Sequence, residues 1–281
     1  MSAKHGRVTA PLPPFRFGVQ CSSPPDITAT RWRDLARKVE DLGYFRLTVS
    51  DHLDDQLAPV AALTSAADAT STLRVGALVF CNDYRHPAVL AKEAATLDIL
   101  SEGRFELGMG AGWMTTDYHR VGITMDPPSV RIARLEEALH VLEGLLSDGP
   151  CHFSGEFYEI DGLNGSPKPV QRPLPICIGG RGLRRTMPLV ARYAHHWNYG
   201  GGDPAEFTRC RDVIHEHCAA LGRDPQEITC SVLARWAGDP KRFRDDAAAF
   251  GDVGADLALV ALPKDVAGAA AVEEVAAAIE V

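Results

Sequence analysis

The residues best suited to chemistry in this sequence lie in one carboxylate–imidazole pair and two glycine-rich turns. The pair is Asp51-His52, directly after a predicted strand. The turns are Gly108-Met109-Gly110-Ala111-Gly112 and Gly179-Gly180-Arg181-Gly182. An imidazole titrates near neutral pH, so His52 can move a proton or hydrogen-bond a substrate oxygen. The structural alternative is that His52 caps the backbone at the end of its strand.

The two glycine-rich turns are candidate anion sites, because a backbone without Cβ turns sharply and approaches a ligand closely. The second turn is predicted to open directly into a helix, where free N–H groups, the helix dipole and Arg181 would favour a phosphate. The alternative is a pair of tight turns that need flexible backbone. In the first turn the third glycine comes one residue early for a dinucleotide fingerprint, and residues 113–128 are predicted to form a loop.

Other chemistry-bearing residues do not form recognisable sites. His215 and His217 are two residues apart on a predicted helix and face different directions, so a metal site is not predicted. His195 and His196 are neighbours on a predicted strand, which points them oppositely and favours a structural role. No nucleophile motif with a partner base is present. Redox or group-transfer chemistry would therefore need a bound organic cofactor.

Composition narrows the class of protein. The 281 residues are 46% hydrophobic and 23% charged, which is typical of a globular protein. The net charge of −8 argues against nucleic acid as a partner. The sequence has no apolar run of membrane-spanning length and no signal-like start. Seven scattered cysteines without a Cys-x-x-Cys favour reduced thiols and a cytoplasmic location, with Cys177 as a core residue.

Strand and helix patterns alternate along the whole chain. Eight predicted strands recur at spacings of about 25–45 residues, each followed by a helix or loop, which favours an α/β protein with one closed (β/α)8 barrel. Residues 1–281 are predicted to form one domain, with 1–14 as a loose N-terminus. Residues 151–160 depart from this pattern and predict a small hairpin excursion. Thr30 is predicted to cap a helix over 31–42.

In a parallel barrel, the residues just after each strand gather on one face, where the site is expected. The residues that the sequence places there are Gln20, Asp51, His52, 79–82, 110–116, 179–182, 199–202 and Arg235.

The same positions carry a resemblance to a known family. The chain is similar to the luciferase-like flavin and deazaflavin oxidoreductases of the bacterial luciferase superfamily, over about 15–262. The pieces that carry it are Gly43-Tyr44, Val49-Ser50-Asp51-His52, Leu73-Arg74-Val75-Gly76, residues 86–92, Leu97-Asp98, residues 101–105 and 107–113, Gly155-Glu156-Phe157-Tyr158, Pro175, Ile178-Gly179-Gly180 and Trp197-Asn198. The family fold is a TIM barrel, in agreement with the strand count.

The resemblance implies a hydride carrier lying across the carboxyl ends of the strands. The Ser-Asp-His segment resembles the branch that uses coenzyme F420, a deazaflavin, with Asp51 contacting the cofactor and His52 near its reactive face as the catalytic residue. A bulge with a non-proline cis peptide is implied at Leu78-Val79, behind the ring. The remaining implied cofactor residues are Gly110, Ala111, Gly112, Thr116, Gly179, Gly180, Arg181 and Gly182. The implied substrate wall is Trp113, Met114, Tyr118 and Tyr199.

Three departures from the family shape the expected activity. Trp113 replaces the glutamate of the sugar-phosphate dehydrogenases and Gln56 replaces their tryptophan, which disfavours a sugar phosphate. Met114 replaces a common asparagine, so one polar contact is missing. A small apolar or aromatic substrate is expected, with hydride transfer to or from coenzyme F420. The alternatives are an FMN-dependent monooxygenase that uses dioxygen and a non-catalytic cofactor-binding protein. Family members commonly form homodimers.

Overall fold

Eight parallel strands close into a barrel surrounded by helices. The computed structural model describes residues 15–21, 27–263 and 267–279. The predicted loose N-terminus at 1–14 lies outside the described residues. The strands are β1 Arg16–Cys21, β2 Arg46–Val49, β3 Arg74–Ala77, β4 Phe80–Cys81, β5 Phe105–Gly110, β6 Cys151–Ser154, β7 Glu159–Leu163, β8 Ile176–Gly179, β9 His196–Tyr199, β10 Thr229–Arg235 and β11 Leu257–Ala261. The helices are α1 Ala29–Asp41, α2 Pro59–Asp68, α3 Pro87–Leu100, α4 Thr115–Val121, α5 Pro128–Leu146, α6 Thr186–Tyr193, α7 Pro204–Leu221, α8 Pro240–Asp252 and α9 Ala267–Ile279.

The sheet order confirms the predicted TIM barrel. The strands run in the order β3-β2-β1-β11-β10-β9-β8-β5, and β3 also pairs with β5, which closes the ring. The short β4 continues beyond β3 and pairs with the end of β5. Every barrel pairing is parallel, so the carboxyl ends of all the strands meet at one face, which we call the barrel mouth. Among the described residues, no helix is long and apolar enough to cross a membrane.

The predicted hairpin is confirmed and is fastened to the barrel. β6 and β7 pair antiparallel as a separate two-stranded sheet. Glu137 on α5 accepts the backbone N–H groups of Glu156, Phe157 and Tyr158 at 2.7, 2.9 and 3.1 Å. One carboxylate therefore satisfies the amide groups of the turn and holds the hairpin against α5.

Two local predictions were wrong: the cap of the first helix, and a loop that in the structure contains a helix. The first helix begins at Ala29, because Thr28 and not Thr30 is its cap: the backbone of Thr28 is extended and its hydroxyl accepts the Arg31 N–H at 3.2 Å. The stretch predicted as a loop over 113–128 contains α4. Tyr118 anchors this helix by complete burial, and Gly122 ends it with a left-handed φ of 72°.

The turn between β3 and β4 agrees with the sequence expectation. The Leu78–Val79 peptide bond is cis, although the residue that follows the bond, Val79, is not a proline. Both residues lie half-buried at the mouth, whereas the residues on either side of them, Ala77 and Phe80, are buried.

Candidate active site at the barrel mouth

His52 lies at the mouth, three residues after β2 ends, and its ring is held from two sides. Its Nδ1 lies 2.8 Å from Oδ2 of Asp117 on α4. The Trp113 ring meets the imidazole edge-on, with 5.6 Å between the ring centres. The His52 side chain keeps 20% of its surface exposed. A partly exposed imidazole with one nitrogen engaged can offer the other nitrogen to a ligand.

Asp117 is the functional candidate that sequence reasoning missed. It is the third residue of α4, its side chain is 1% exposed, and the same Oδ2 accepts the Tyr84 hydroxyl at 3.2 Å. Asp117 follows His52 by 65 residues, so sequence neighbourhood pointed to Asp51 instead. A signal was present in the first turn of α4, where an acidic side chain is favourable, but that stretch was interpreted as a loop.

Asp51 does not present its carboxylate to the mouth, which corrects the expected cofactor contact. Its side chain is buried and accepts two hydrogen bonds from the Arg85 guanidinium, at 2.8 and 3.0 Å. It also accepts the Cys81 backbone N–H at 2.9 Å. With these bonds made, Asp51 ties β4 to the end of β2. Asp51 therefore has a structural role next to the site.

A small apolar platform also lies at the barrel mouth. Val79, Ala111 and Gly179 are half-buried at the adjoining ends of β4, β5 and β8. The missing side chain at Gly110 makes room for Val79, since a Cβ there would lie 2.5 Å from Val79 Cγ2. A Cβ on Gly108 would lie 1.9 Å from the Ala77 carbonyl oxygen. These two glycines therefore serve packing around Val79, and the half-buried residues of the platform carry no charge.

The segment after β5 is held in place by hydrogen bonds from α5. Arg131 on α5 donates to the Ala111 carbonyl at 3.2 Å and also to the Gly112 carbonyl. Thr116 is exposed, and its predicted phosphate contact stays a prediction. Trp113 is 70% exposed and Met114 is half-buried, so both can face a substrate beside His52.

Two predicted substrate residues are corrected by their burial. Tyr118 is completely buried, and its hydroxyl donates to Asp83 at 2.8 Å. Tyr199 is also completely buried and donates to Glu206 at 2.7 Å. Both rings therefore belong to the packing beneath the mouth and offer no surface to a substrate.

The Gly179–Gly182 turn differs from the expected phosphate cradle. The helix α6 begins at Thr186, so it does not follow the turn directly. The Gly182 carbonyl already accepts the N–H groups of Arg185, Thr186 and Met187, at 3.3, 2.8 and 3.1 Å. Arg181 is exposed and pairs with Glu206 at 3.1 Å. The N–H groups at the start of α6 and the charge of Arg181 are therefore engaged within the protein, and Gly179 and Gly180 remain as half-buried parts of the platform.

A cavity of about 650 Å³ opens on the same face but across the barrel from His52. It follows β9 and β10 and includes the Gly200-Gly201-Gly202 turn, Arg235, Arg242 and the inner face of α8. None of the sequence-predicted cofactor or substrate residues lines it. The platform and this cavity are therefore lined by different residues.

A second histidine–carboxylate pair lies inside the barrel at the opposite end of the strands. His196 at the start of β9 places Nδ1 2.8 Å from Glu106 Oε2, and Glu106 also binds the Arg46 guanidinium, with one contact of 2.8 Å. Glu106, Cys177 and His196 group like metal ligands. Arg46 already supplies the positive charge there. Burial works against ionisation of Glu106, but Arg46 and His196 lower its pKa to about 2.

The chain is a (β/α)8 barrel whose mouth carries an imidazole–carboxylate pair and an apolar platform. The luciferase-like monooxygenase family model matches residues 12–278, and the chain belongs to that family. An uncharacterized protein of Mycobacterium tuberculosis is 33% identical over 211 residues, covering 69% of this chain and 73% of that protein. The FMNH2-dependent dimethylsulfone monooxygenase of Pseudomonas putida is 28% identical over 222 residues, covering 72% and 61%.

A solved structure with the same fold is the coenzyme F420-dependent tetrahydromethanopterin reductase from Methanopyrus kandleri. It superposes with a TM-score of 0.79 at 20% identity, and the match covers 94% of this chain and 97% of that chain. By their names, the dimethylsulfone monooxygenase depends on FMNH2 and this reductase on coenzyme F420. Membership makes the chain a luciferase-like oxidoreductase or monooxygenase by class.

Proposed function

We propose that this chain is a coenzyme F420-dependent oxidoreductase that moves a hydride between the deazaflavin and a small apolar or aromatic substrate. The observation that carries the proposal is the His52–Asp117 pair, which leaves the imidazole partly exposed at the same barrel mouth as the apolar platform. When a hydride leaves an alcohol carbon or arrives at a carbonyl carbon, the oxygen must lose or gain a proton. An imidazole at that place can perform it.

The residues present fit the ring end of such a cofactor. Val79, Ala111, Gly179 and Gly180 are small, uncharged and partly exposed, which suits contact with the face of a planar ring. When bound, coenzyme F420 supplies a two-electron hydride acceptor or donor. The phosphate end has weaker support, because Arg181 and the start of α6 are engaged within the protein.

The chain's own contribution to the reaction centres on His52. As a substrate alcohol gives up the hydride on its carbon, Nε2 of His52 takes the hydroxyl proton. In the reverse direction the same nitrogen returns that proton to the carbonyl oxygen. Trp113 packs against the imidazole and is the most exposed large apolar side chain beside it, so it would form the apolar wall of the substrate site.

The proposal is tested by titrating the apo-protein with coenzyme F420 and, in parallel, with FMN, following fluorescence without oxygen. We expect a dissociation constant of about 1 μM or lower for coenzyme F420, equivalent to roughly 8 kcal/mol, with weaker FMN binding. A panel of secondary alcohols, enones and imines would then be screened for turnover. Tight FMN binding with weak coenzyme F420 binding would overturn the proposal.

An FMN-dependent monooxygenase is the second candidate, and the similarity to the dimethylsulfone monooxygenase favours it. The two ring systems share the shape that the platform accommodates. Oxygen consumption separates the two, since reduced FMN reacts with dioxygen and a reduced deazaflavin reacts poorly. Cofactor binding without turnover of any panel member would instead support a non-catalytic binding protein.

We also propose a cytoplasmic homodimer. All seven cysteines are free and buried, which suits a reducing compartment. Light scattering on the purified protein should give a molar mass of about twice the chain mass of 30.3 kDa. A monomeric mass would contradict the dimer.

A further inference from the structure

The half-buried imidazole of His52 has two nitrogens, and its environment treats them differently. Nδ1 faces Asp117 Oδ2 at 2.8 Å, deep in the protein. No hydrogen bond reaches Nε2 from the residues that the structure describes, and this nitrogen belongs to the part of the molecule that opens at the mouth. A neutral imidazole carries one proton, and the partner of one nitrogen decides where that proton lies.

The direction of the Asp117 contact follows from Tyr84. The Tyr84 hydroxyl donates to the same Oδ2 at 3.2 Å, so this oxygen acts as an acceptor. Burial, with the neighbouring Cys81 and Asp117, raises the pKa of Tyr84, so the hydroxyl keeps its proton. A carboxylate oxygen carries no proton to donate, so the Asp117 carboxylate accepts from both Tyr84 and His52. The Nδ1 atom must then be the donor.

We propose that Asp117 is a positioning residue that holds His52 as the Nδ1–H tautomer, with Tyr84 as its support, so that Nε2 is the proton-transferring atom. Asp117 acts through His52 and does not touch the substrate. The Trp113 ring at 5.6 Å limits rotation of the imidazole from the other side. A carboxylate that fixes tautomer and ring orientation in this way is a general device of acid–base sites.

This inference rests on the proposed function for its consequence in turnover, but its geometry can be tested without cofactor or substrate. Protein labelled with ¹⁵N-histidine would be measured by long-range ¹H–¹⁵N spectroscopy at a pH where His52 is neutral. The His52 signals are assigned by their loss in His52→Ala. We expect the proton on Nδ1 in the wild-type protein.

Two variants sharpen the test. Asp117→Ala removes the acceptor, and we expect His52 to lose the single Nδ1–H form. Tyr84→Phe removes one bond to Asp117 and keeps the ring, so the Nδ1–H form should persist with a smaller change in chemical shift. His119→Ala is the matched control, because His119 lies exposed on the same helix, and its removal should leave the His52 signals unchanged.

The outcomes separate this inference from the proposed function. A wild-type His52 with its proton on Nε2, or an Asp117→Ala protein with an unchanged Nδ1–H signal, overturns the positioning role whatever the cofactor is. If Asp117→Ala does not fold, the wild-type measurement alone decides. If coenzyme F420 fails to bind but the tautomer is as stated, the cofactor proposal fails and the role of Asp117 stands. With an active substrate, Asp117→Ala should reduce kcat at least tenfold with a smaller change in KM.

Discussion

The barrel contains two histidine–carboxylate pairs of equal length in opposite surroundings. His52 and Asp117 are 2.8 Å apart at the mouth, and His196 and Glu106 are 2.8 Å apart in the interior. The His52 side chain is 20% exposed, whereas that of His196 is 1% exposed. The same two groups at the same distance can thus be placed in a reactive or in an inert setting.

The difference lies in what the second nitrogen and the carboxylate do. In the interior, His196 Nε2 lies 2.6 Å from the Ser231 hydroxyl, which also accepts from Asn198 at 2.8 Å. Glu106 is balanced by Arg46. Every partner there is protein, so the pair can only stabilise the fold. At the mouth, the second nitrogen of His52 is available to a ligand. The site is therefore marked by a ring nitrogen that is free to bond a ligand, and not by the histidine–carboxylate pair itself.

The largest expected effect is the loss of turnover in His52→Ala. Removing a positioned acid–base group should slow the reaction by about 10²–10⁴-fold, equivalent to roughly 3–5 kcal/mol in the barrier. Cofactor affinity should change little. His119→Ala, on the exposed face of α4, should retain wild-type turnover. Steady-state kinetics with an active substrate decides, and unchanged turnover in His52→Ala would remove this residue from the mechanism.

Glu106→Gln should have the largest effect on stability. It leaves Arg46 buried without its counter-charge, and breaking a buried pair in this way costs about 3–5 kcal/mol. Denaturant unfolding measures the free energy, with Glu216→Gln on the exposed face of α7 as the control. His52→Ala should cost less, about 1–3 kcal/mol, because Asp117 keeps Tyr84. A larger loss for His52→Ala than for Glu106→Gln would reverse the comparison.

The interior pair should also make stability depend on pH. Burial lowers the pKa of His196, so the unfolded chain binds a proton more readily below about pH 6.5 and unfolding becomes easier on acidification. Glu106, whose pKa is lowered to about 2, adds a further loss between about pH 4.5 and 2. Burial also lowers the pKa of His195 and His215. A His196→Asn variant therefore isolates the contribution of His196 to the pH dependence. The free energy of unfolding of this variant should fall less between pH 6.5 and 4.5 than that of the wild-type protein. An equal slope would exclude His196 as a source.

Tyr84→Phe should give the smallest effect. It removes one hydrogen bond to Asp117 and should lower the free energy of unfolding by about 0.5–1.5 kcal/mol. Turnover should fall less than in Asp117→Ala, since the His52–Asp117 contact remains. Calorimetric unfolding and kinetics on the same preparation provide both values. A turnover loss as large as that of His52→Ala would mean that Tyr84 itself takes part in the reaction.

The barrel could be predicted from sequence because each strand is a short apolar run that recurs at regular spacing. The hairpin and the Leu78–Val79 turn were also placed correctly, the first from its composition and the second from the family resemblance. Helix α4 was missed because its seven residues are too few for a hydrophobic period to show against the surrounding Thr, Asp and Gly.

The site was predicted less completely than the fold. The sequence indicated which residues follow each strand, and so placed His52 at the mouth. It could not indicate where each side chain points or what it bonds to. Asp51 pairs with Arg85 and Arg181 pairs with Glu206, and the rings of Tyr118 and Tyr199 are buried. These choices depend on contacts between residues tens of positions apart. The decisive neighbour of His52 comes from a different strand–helix unit for the same reason.

The account's central claim is that the mouth pair performs the chemistry and the interior pair does not. The most direct measurement adds coenzyme F420 stepwise to ¹⁵N-histidine-labelled protein and follows both histidines. The account predicts that the Nε2 signal of His52 shifts in proportion to occupancy while the His196 signals stay in place. A His52 signal that does not respond to bound cofactor, or a His196 signal that responds instead, would contradict it.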